Sequence, residues 1–398
     1  MKTAYIIDAL RTPVGKYGGA LASIRPDDLL AIVIKEIIKR NPNVDVNAIE
    51  DVIAGAANQA GEDNRNVARM SALLAGLPIS VGGITVNRLC ASGMQAIMDA
   101  SRAIMCGDGE IYIAGGVESM SRAPFVVAKS TSAFDRTPQL FDTTMGWRFI
   151  NKNLSALHHP FGMGETAENV AKQWNISREA QDKFALQSQE KYDAAHLHNK
   201  FKEELVAVNI DLGKGKTILF DKDEHPRLST LEKLGELKPA FLKDGSVTAG
   251  NSSGINDGAS VLLIASEEAV KKYNLKPIAK IKSMAIAGVD PSIMGIGPVP
   301  ATKKALERAG LSIEDLGLVE LNEAFASQSL ACIQELNLNP EIVNVNGGSI
   351  AIGHPLGCSG ARISTTLIHE MKKRKVQYGL ATMCIGVGQG SAIIFENV

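Results

Sequence analysis

The sequence is poor in cysteine and has no excess of charge of either sign. Its 5 cysteines are widely spaced, odd in number and without a C-x-x-C pair: Cys90, Cys106, Cys332, Cys358 and Cys384. This pattern argues against a disulfide framework or a zinc ribbon and predicts a metal-free protein of the reducing cytoplasm. With Lys+Arg 42 against Asp+Glu 43, the net charge is -1. That balance excludes a basic field for nucleic acid, so any anionic ligand must be held locally.

Long apolar runs are also missing. No run approaches the roughly 18 residues that span a membrane, and the apolar start of the chain is broken by Asp8 and Arg11, so we expect neither a membrane anchor nor a secretory signal. Aromatic residues make up only 5%, whereas glycine is plentiful at 37 residues. A core of small aliphatic side chains with many tight turns is typical of α/β proteins.

One turn between a strand and a helix stands out in this background. Residues 82–89 have the pattern of a strand, and from Met94 apolar residues recur at helical spacing until Gly107. Cys90 lies between them, where free N–H groups and the helix dipole would stabilise a thiolate. We expect Gly93 to let a second molecule approach. The pattern predicts a nucleophilic cysteine, and the alternative is a small buried side chain.

The chain alternates strands and helices and repeats this scheme. Strands are predicted at 4–8, 51–56 and 111–114, with helices at 27–40 and 66–74 between them, which favours a largely parallel sheet covered by helices. One offset aligns three features of the two ends of the chain: 359 − 92 = 267 for the Ser-Gly pairs, 319 − 52 = 267 for Val-Val, and 378 − 111 = 267 for the last strands. The sequence therefore predicts two related α/β halves.

The predicted halves are residues 1–120, completed by 249–270, and residues 271–398. An insertion at 121–248 separates them, with helices at 166–174 and 178–198 and Ser177 as the N-cap of the second. Insertions of this kind commonly carry the substrate site.

Three further residues follow predicted strands or rigid turns. Cys384 ends the last strand and opens C-I-G-V-G-Q-G, where Gly386 could offer a backbone N–H to an oxyanion. His354, between Gly353 and Pro355, is a candidate base for a thiol. Asn322 follows the strand 318–321 and could hold a water or polarise a carbonyl. A core cysteine, a structural histidine and a turn-forming asparagine are the alternatives.

The offset places Cys358 opposite Ala91, so we assign it no chemistry, and we expect Cys106 and Cys332 in the core.

These motifs together resemble the thiolases, enzymes that exchange acyl groups between coenzyme A thioesters. The resemblance covers essentially the whole chain and rests on N-R-L-C-A-S-G, G-G-V-E-S-M-S, T-A-G-N-S-S-G-I-N-D-G-A, N-E-A-F-A, N-G-G-S-I-A-I-G-H-P-L-G and C-I-G-V-G-Q-G. It implies two repeated βαβαβαββ halves in an α-β-α-β-α layered core, with a loop domain inserted in the first.

The resemblance also implies roles for individual residues. Cys90 would be acylated, His354 would activate it, and Cys384 would be the acid/base at the second reaction centre. A water on Asn322 together with His354 would form one oxyanion hole, and the N–H groups of Cys90 and Gly386 the other. Coenzyme A would contact Met163, Arg227, Ala249, Ser253, Met294 and Phe325. No permanently bound cofactor is implied, coenzyme A and acyl-CoA being substrates, and thiolases typically form homodimers or homotetramers.

Alternatives remain at two levels. A decarboxylating ketoacyl synthase would carry a second histidine in place of Cys384, and a lipid carrier or redox-sensing thiol protein would not need all four catalytic positions.

For the substrate, biosynthetic acetoacetyl-CoA thiolases carry histidine where this chain has Gly162. R-T-P-V-G-K-Y-G-G-A-L-A-S-I-R, A-G-E-D-N-R-N-V-A-R-M, F-D-T-T-M-G-W-R-F-I-N and D-E-H-P-R look instead like 3-oxoadipyl-CoA thiolases, which usually have Met-Pro-Glu-Thr at 163–166. A distal carboxylate needs a cation, and the candidates are Arg148, His158 and His159.

Overall fold

The structure is a computed structural model that describes residues 2–398. The strands are β1 Ala4–Arg11, β2 Gly15–Lys16, β3 Ile49–Gly55, β4 Gly82–Val86, β5 Ile111–Ser119, β6 Phe125–Val127, β7 Leu140–Asp142, β8 Val208–Asp211, β9 Thr217–Phe220, β10 Asn256–Ser266, β11 Ala279–Gly288, β12 Leu318–Leu321, β13 Tyr378–Ile385 and β14 Gln389–Asn397. The α-helices are α1 Pro26–Arg40, α2 Val67–Leu74, α3 Ser92–Cys106, α4 Lys152–Leu157, α5 Met163–Gln173, α6 Arg178–Leu197, α7 Leu231–Gly235, α8 Glu267–Lys272, α9 Pro298–Ala309, α10 Ala326–Leu336, α11 Ser349–Ile352 and α12 Leu356–Arg374.

The large sheet is mixed, so the expectation of a largely parallel sheet is wrong. Its order is β12-β13-β14-β11-β1-β10-β5-β3-β4, with β2 beside β10. Only β3 with β4, β3 with β5, and β12 with β13 pair in parallel. The physical reason is visible at β13 and β14, which are joined by the three residues 386–388 and must therefore run antiparallel.

The predicted duplication is present in the strand order. β3, β5, β10 and β1 follow one another with the same directions as β12, β13, β14 and β11. The two sets of strands meet where Tyr5 and Ile6 of β1 pair with Lys280 and Ala279 of β11. Each set is thus one half of the fold. The domain boundaries at 120, 248 and 270 stay a prediction.

Helices occupy three layers around these two sets of strands. α3 and α12 lie between them, and Met94, Ile97 and Leu367 pack in one cluster with strand residues of both halves. α12 is buried from Gly357 to Met371 because both sets of strands pack against it. α1 and α2 cover the first half, and α9 and α10 cover the second. The five α-β-α-β-α layers implied by the resemblance are therefore present.

The two central helices cross at glycines that the offset of 267 makes equivalent. A Cβ atom on Gly93 would lie 2.7 Å from the carbonyl oxygen of Gly357 and 3.0 Å from the amide nitrogen of Ala361. A Cβ on Gly360 would lie 2.5 Å from the amide nitrogen of Met94. Gly93 therefore serves the contact between helices, and the expectation that it admits a second molecule is wrong.

The insertion contributes helices and two small hairpins. The predicted helices are α5, which begins at Met163 and not at Thr166, and α6, whose N-cap Ser177 accepts from the Ala180 N–H as expected. The hairpins β6–β7 and β8–β9 were not expected from the sequence. Within residues 2–398, none of the helices combines the length and the apolar character needed to cross a bilayer.

Candidate active site

A cavity of about 870 Å³ opens where the two halves and the insertion meet. Four of the five candidate catalytic residues line it: Cys90, His354, Cys384 and Gly386. All six candidate coenzyme A contacts line it as well: Met163, Arg227, Ala249, Ser253, Met294 and Phe325. Asn322 lies behind His354 and not on the wall. Of the three candidate carboxylate ligands, Arg148 lines the cavity, whereas His158 and His159 are exposed and are not on its wall.

Cys90 lies on the turn from β4 into α3, as predicted. The residue before it, Leu89, has a left-handed backbone with φ 48°, which is rare for a bulky side chain and marks a tight turn. The N–H of Gly386 donates to the Cys90 sulfur, and the N–H of Cys90 itself also faces it. These two backbone donors, which come from opposite halves of the fold, therefore converge on one point of the cavity.

The backbone N–H groups at this turn favour a thiolate at Cys90, as expected, but they are not the largest influence on its pKa. Burial raises the pKa of Cys90 to about 11, and the nearby Glu118 carboxylate acts in the same direction, whereas the two N–H donors only partly offset this. Cys90 is half-buried, and the partial removal of its sulfur from water outweighs the two amide dipoles at the helix start. The thiol is protonated at neutral pH and needs a base.

His354 is held so that one ring nitrogen is free to act as that base. Its backbone N–H donates to Asn256 Oδ1 at 2.9 Å, and its Nδ1 lies 2.6 Å from Ser359 Oγ. The Ser359 hydroxyl donates its only proton to the carbonyl of Pro355 at 2.8 Å, so Nδ1 must be the donor to Ser359 and Nε2 keeps a lone pair. Burial lowers the pKa of His354 to about 3, with a smaller contribution from Arg362. The ring is neutral and able to accept a proton.

The Asn322 side chain faces this lone pair. Its Nδ2 lies 3.4 Å from His354 Nε2, while its Oδ1 accepts from Ser349 Oγ at 2.6 Å. Ser349 Oγ in turn accepts from Arg362 Nη2 at 2.7 Å. This buried chain fixes which end of the amide faces His354, because the serine proton is committed to Oδ1. Asn322 therefore presents its N–H₂ group toward His354 Nε2.

Cys384 lies near the carboxyl end of β13, as predicted, where it pairs with Gly390 of β14. It is buried, and burial raises the pKa of Cys384 well above its usual range, with further contributions from Cys90 and Cys332. The turn that follows has left-handed backbones at Val387, φ 62°, and Gly388, φ 77°. The turn brings Gly386 beside Cys90, so both thiols face one cavity, each protonated.

The other cysteines take no part in this site. Cys332 is buried as expected, and Cys358 is buried within α12. Cys106 is exposed in the last turn of α3, so its assignment to the core is wrong. Cys106 lies on the same face of α3 as Arg102, four residues earlier, which is also exposed, whereas Ile104 on the opposite face is buried.

Sequence reasoning missed Glu118, which is buried at the end of β5 and lines the cavity. Its carboxylate accepts from the N–H groups of Ala57, Asn58 and Gly357 at 2.8, 3.1 and 2.7 Å. Burial raises the pKa of Glu118 to about 7. Glu118 therefore links the cavity floor, which is formed by residues 57, 58 and 118 of the first half, to the first turn of α12 in the second half. A charged residue ending an apolar strand in G-G-V-E-S-M-S was the available signal.

Among residues 2–398, no group of three or more His, Cys, Asp or Glu side chains is placed to hold a metal ion. Two thiols facing one cavity, a neutral imidazole, an asparagine amide and two convergent N–H groups are instead suited to acyl transfer, which needs a nucleophile, bases and oxyanion donors.

The chain belongs to the thiolase family and is an acyltransferase. Residues 4–268 match the family description "Thiolase, N-terminal domain", and residues 275–397 match "Thiolase, C-terminal domain".

Among individual proteins, the chain is 55% identical over 401 residues to the beta-ketoadipyl-CoA thiolases of Escherichia coli and Acinetobacter baylyi, with 100% of each chain covered. It is 49% identical over 404 residues to the 3-ketoacyl-CoA thiolase of Photobacterium profundum, again with 100% coverage of both chains. Among solved structures, the chain is similar to the Bacillus anthracis acetyl-CoA acetyltransferase, with TM-score 0.94 and 44% identity over 100% of this chain and 99% of that one. It is also similar to human mitochondrial 3-ketoacyl-CoA thiolase in complex with CoA, with TM-score 0.92 and 42% identity over 100% of this chain and 98% of that one.

Proposed function

We propose that the protein cleaves 3-oxoacyl-CoA by thiolysis, with 3-oxoadipyl-CoA as the substrate, through an acyl group carried on Cys90. The observation that carries the proposal is the convergence of Cys90, His354 and Cys384 on one cavity. Relatives at 55% identity named beta-ketoadipyl-CoA thiolase support the substrate. The reaction is reversible, so the same groups would serve acyl transfer in either direction.

In the first half-reaction, His354 Nε2 takes the thiol proton as the Cys90 sulfur attacks the 3-keto carbon. The developing oxyanion is placed against the N–H groups of Cys90 and Gly386. The bond between C2 and C3 then breaks, and its electron pair moves to C2 as the enolate of acetyl-CoA. The Cys384 thiol supplies the proton that C2 needs, while Asn322, through a water, and the protonated His354 stabilise the enolate oxygen. The raised pKa of Cys384 suits this step, because its thiol must be protonated to supply a proton to C2.

In the second half-reaction, the Cys384 thiolate takes the proton of free coenzyme A. The coenzyme A sulfur attacks the acyl group on Cys90, whose oxyanion again lies against the Cys90 and Gly386 N–H groups. The Cys90 sulfur leaves and recovers its proton from His354. Acyl-CoA is released, and all three groups return to their starting protonation states.

The coenzyme A portion is proposed to lie along the side of the cavity formed by residues from the insertion and the 249–253 loop. Met294 and Phe325 give it buried apolar surface, and Arg227 is an exposed cation whose Nη2 donates to the carbonyl of Ala249. Ser253 adds a hydroxyl on the same wall. Apolar contact along the pantetheine and a cation near solvent fit a ligand with a thin arm and an anionic end.

The two cysteines are predicted to differ in function, and acetylation by acetyl-CoA tests this. Cys90→Ala should form no acyl-enzyme, because the nucleophile is gone. Cys384→Ala should still gain one acetyl group per chain, reversible by coenzyme A, but should neither form nor break carbon–carbon bonds. Intact mass spectrometry and a thiolysis assay give both readouts. Absence of the acetyl adduct from a folded Cys384→Ala protein would contradict the division of roles.

Acetoacetyl-CoA synthesis is the second candidate, supported by the similarity to the Bacillus anthracis acetyl-CoA acetyltransferase. Against it, Gly162 offers no imidazole to the cavity, and its N–H donates to Glu165 at the start of α5. The values of kcat/KM for thiolysis of 3-oxoadipyl-, 3-oxohexanoyl- and acetoacetyl-CoA decide between the two. A clear preference for acetoacetyl-CoA would replace the proposed substrate and leave the thiolase chemistry in place.

We also propose a homodimer or homotetramer in the cytoplasm, with no resident cofactor. Free thiols at all five cysteines fit a reducing compartment. Light scattering at micromolar concentration should give a mass of two or four chains, and a mass of 42.3 kDa would refute the assembly.

A further inference from the structure

One cation on the cavity wall lacks the partner that the other cations have. Lys16 Nζ lies 3.5 Å from a carboxylate oxygen of Glu224, and Arg227 donates to the carbonyl of Ala249. Arg148 lines the same cavity and is half-buried, yet within residues 2–398 no carboxylate lies within 4.0 Å of its guanidinium. A partly desolvated guanidinium is favourable only when it meets an anion or several acceptors.

The wall that carries Arg148 is anchored at both ends. Thr143 Oγ1 accepts from Asn58 Nδ2 at 2.8 Å, and the Asn58 N–H donates to the Glu118 carboxylate on the cavity floor. At the other end, Trp147 Nε1 donates to the carbonyl of Phe161 at 3.0 Å. The segment 143–148 is therefore joined to the cavity floor through Thr143 and held at Trp147, so Arg148 is placed by contacts that do not use its own charge.

We infer that Arg148 is the specificity-determining residue that binds the distal carboxylate of an ω-carboxylated 3-oxoacyl-CoA. The inference rests on the proposed function and deepens it by naming the group that recognises the substrate's far end. A guanidinium offers two parallel N–H donors that match a carboxylate, which gives both affinity and direction. His158 and His159 do not share this role, since both are exposed and off the wall.

The competing ligand for Arg148 is a phosphate of coenzyme A. The phosphates belong to every substrate, whereas the distal carboxylate belongs to one class. Loss of a phosphate contact would therefore raise KM for coenzyme A and weaken all acyl-CoA substrates alike. Loss of a carboxylate contact would weaken 3-oxoadipyl-CoA and leave 3-oxohexanoyl-CoA, which has the same chain length and an uncharged end, unchanged.

The experiment compares wild type with Arg148→Gln, Arg148→Lys and the control Arg136→Gln, which removes the same charge from an exposed site of the insertion away from the cavity. We expect Arg148→Gln to lower kcat/KM for 3-oxoadipyl-CoA relative to 3-oxohexanoyl-CoA by about 10- to 100-fold, the range of one charge-assisted contact. Arg148→Lys should recover part of this ratio as a point charge. Unchanged 3-oxohexanoyl-CoA cleavage reports that each variant is folded.

Two results would overturn the inference: an unchanged ratio, or an equal loss on both substrates with a raised KM for coenzyme A. A binding measurement separates this failure from failure of the proposed function. Calorimetry of adipyl-CoA and hexanoyl-CoA on Cys90→Ala, with and without Arg148→Gln, reports carboxylate recognition without any turnover. Preference for adipyl-CoA that disappears with Arg148→Gln supports the inference even where thiolysis fails, and preference that persists contradicts it.

Discussion

Replacement of Ser359 by alanine tests how the base of the site is held. The hydroxyl is buried, accepts from His354 Nδ1 at 2.6 Å and donates to the Pro355 carbonyl at 2.8 Å. Without it the Nδ1–H is buried and unpaired, which costs about 1–3 kcal/mol. The same amount of free energy is lost from the preference for the tautomer that leaves Nε2 free. At about 1.36 kcal/mol per tenfold, we expect the rate of Cys90 acylation by acetyl-CoA to fall by about 5- to 160-fold.

Single-turnover acetylation followed by intact mass gives this rate directly. Ser364 provides the matched control, because its buried hydroxyl donates to the Gly360 carbonyl one turn further along α12 and does not contact His354. Both alanine variants should lose similar stability in urea, whereas only Ser359→Ala should acylate slowly, and Ser359→Thr should restore the rate. Equal rates for Ser359→Ala and Ser364→Ala would refute the assignment of Nδ1 as the donor.

Two further outcomes follow from burial and from helix packing. The rate at which iodoacetamide alkylates Cys90, followed by peptide mapping, should rise about tenfold per pH unit toward pH 11. The raised pKa of Cys90 keeps the thiolate fraction small, and that fraction grows with pH. A rate that levels off near pH 7 would reveal a resting thiolate–imidazolium pair with His354. Gly93→Ala should lower the free energy of unfolding by about 1–3 kcal/mol, since its Cβ would meet the Gly357 carbonyl at 2.7 Å. The control Gly235→Ala has open space around it and should change stability little. Equal melting temperatures for the two variants would contradict the close helix crossing.

Much of this protein could be read from local pattern. The turn at Cys90, the strand end at Cys384, the N-cap at Ser177 and the repeat at offset 267 depend on residues close in sequence or on self-similarity, and each is present in the structure. The strand directions could not be read in this way, since alternation of strands and helices does not say which strands become neighbours. The neighbours here are set by the tight turn at 386–388 and by β10, which joins the first half only after the insertion.

The protonation states of the site were decided by tertiary structure alone. A helix start favours a thiolate at Cys90, yet partial burial of this residue in the folded chain raises the pKa of its thiol. The partners that orient His354 and Asn322 are Ser359 and Ser349. Ser359 is close to His354 in sequence, whereas Ser349 meets Asn322 only because the fold places α11 beside the end of β12. Gly93 looked like an opening for a ligand because sequence records the missing side chain but not what fills its place, which is the backbone of α12. The sequence by itself determined the reactive groups and the order of the elements. Desolvation and packing between distant segments, which only the folded chain defines, decided the protonation states and hydrogen-bond partners of those groups.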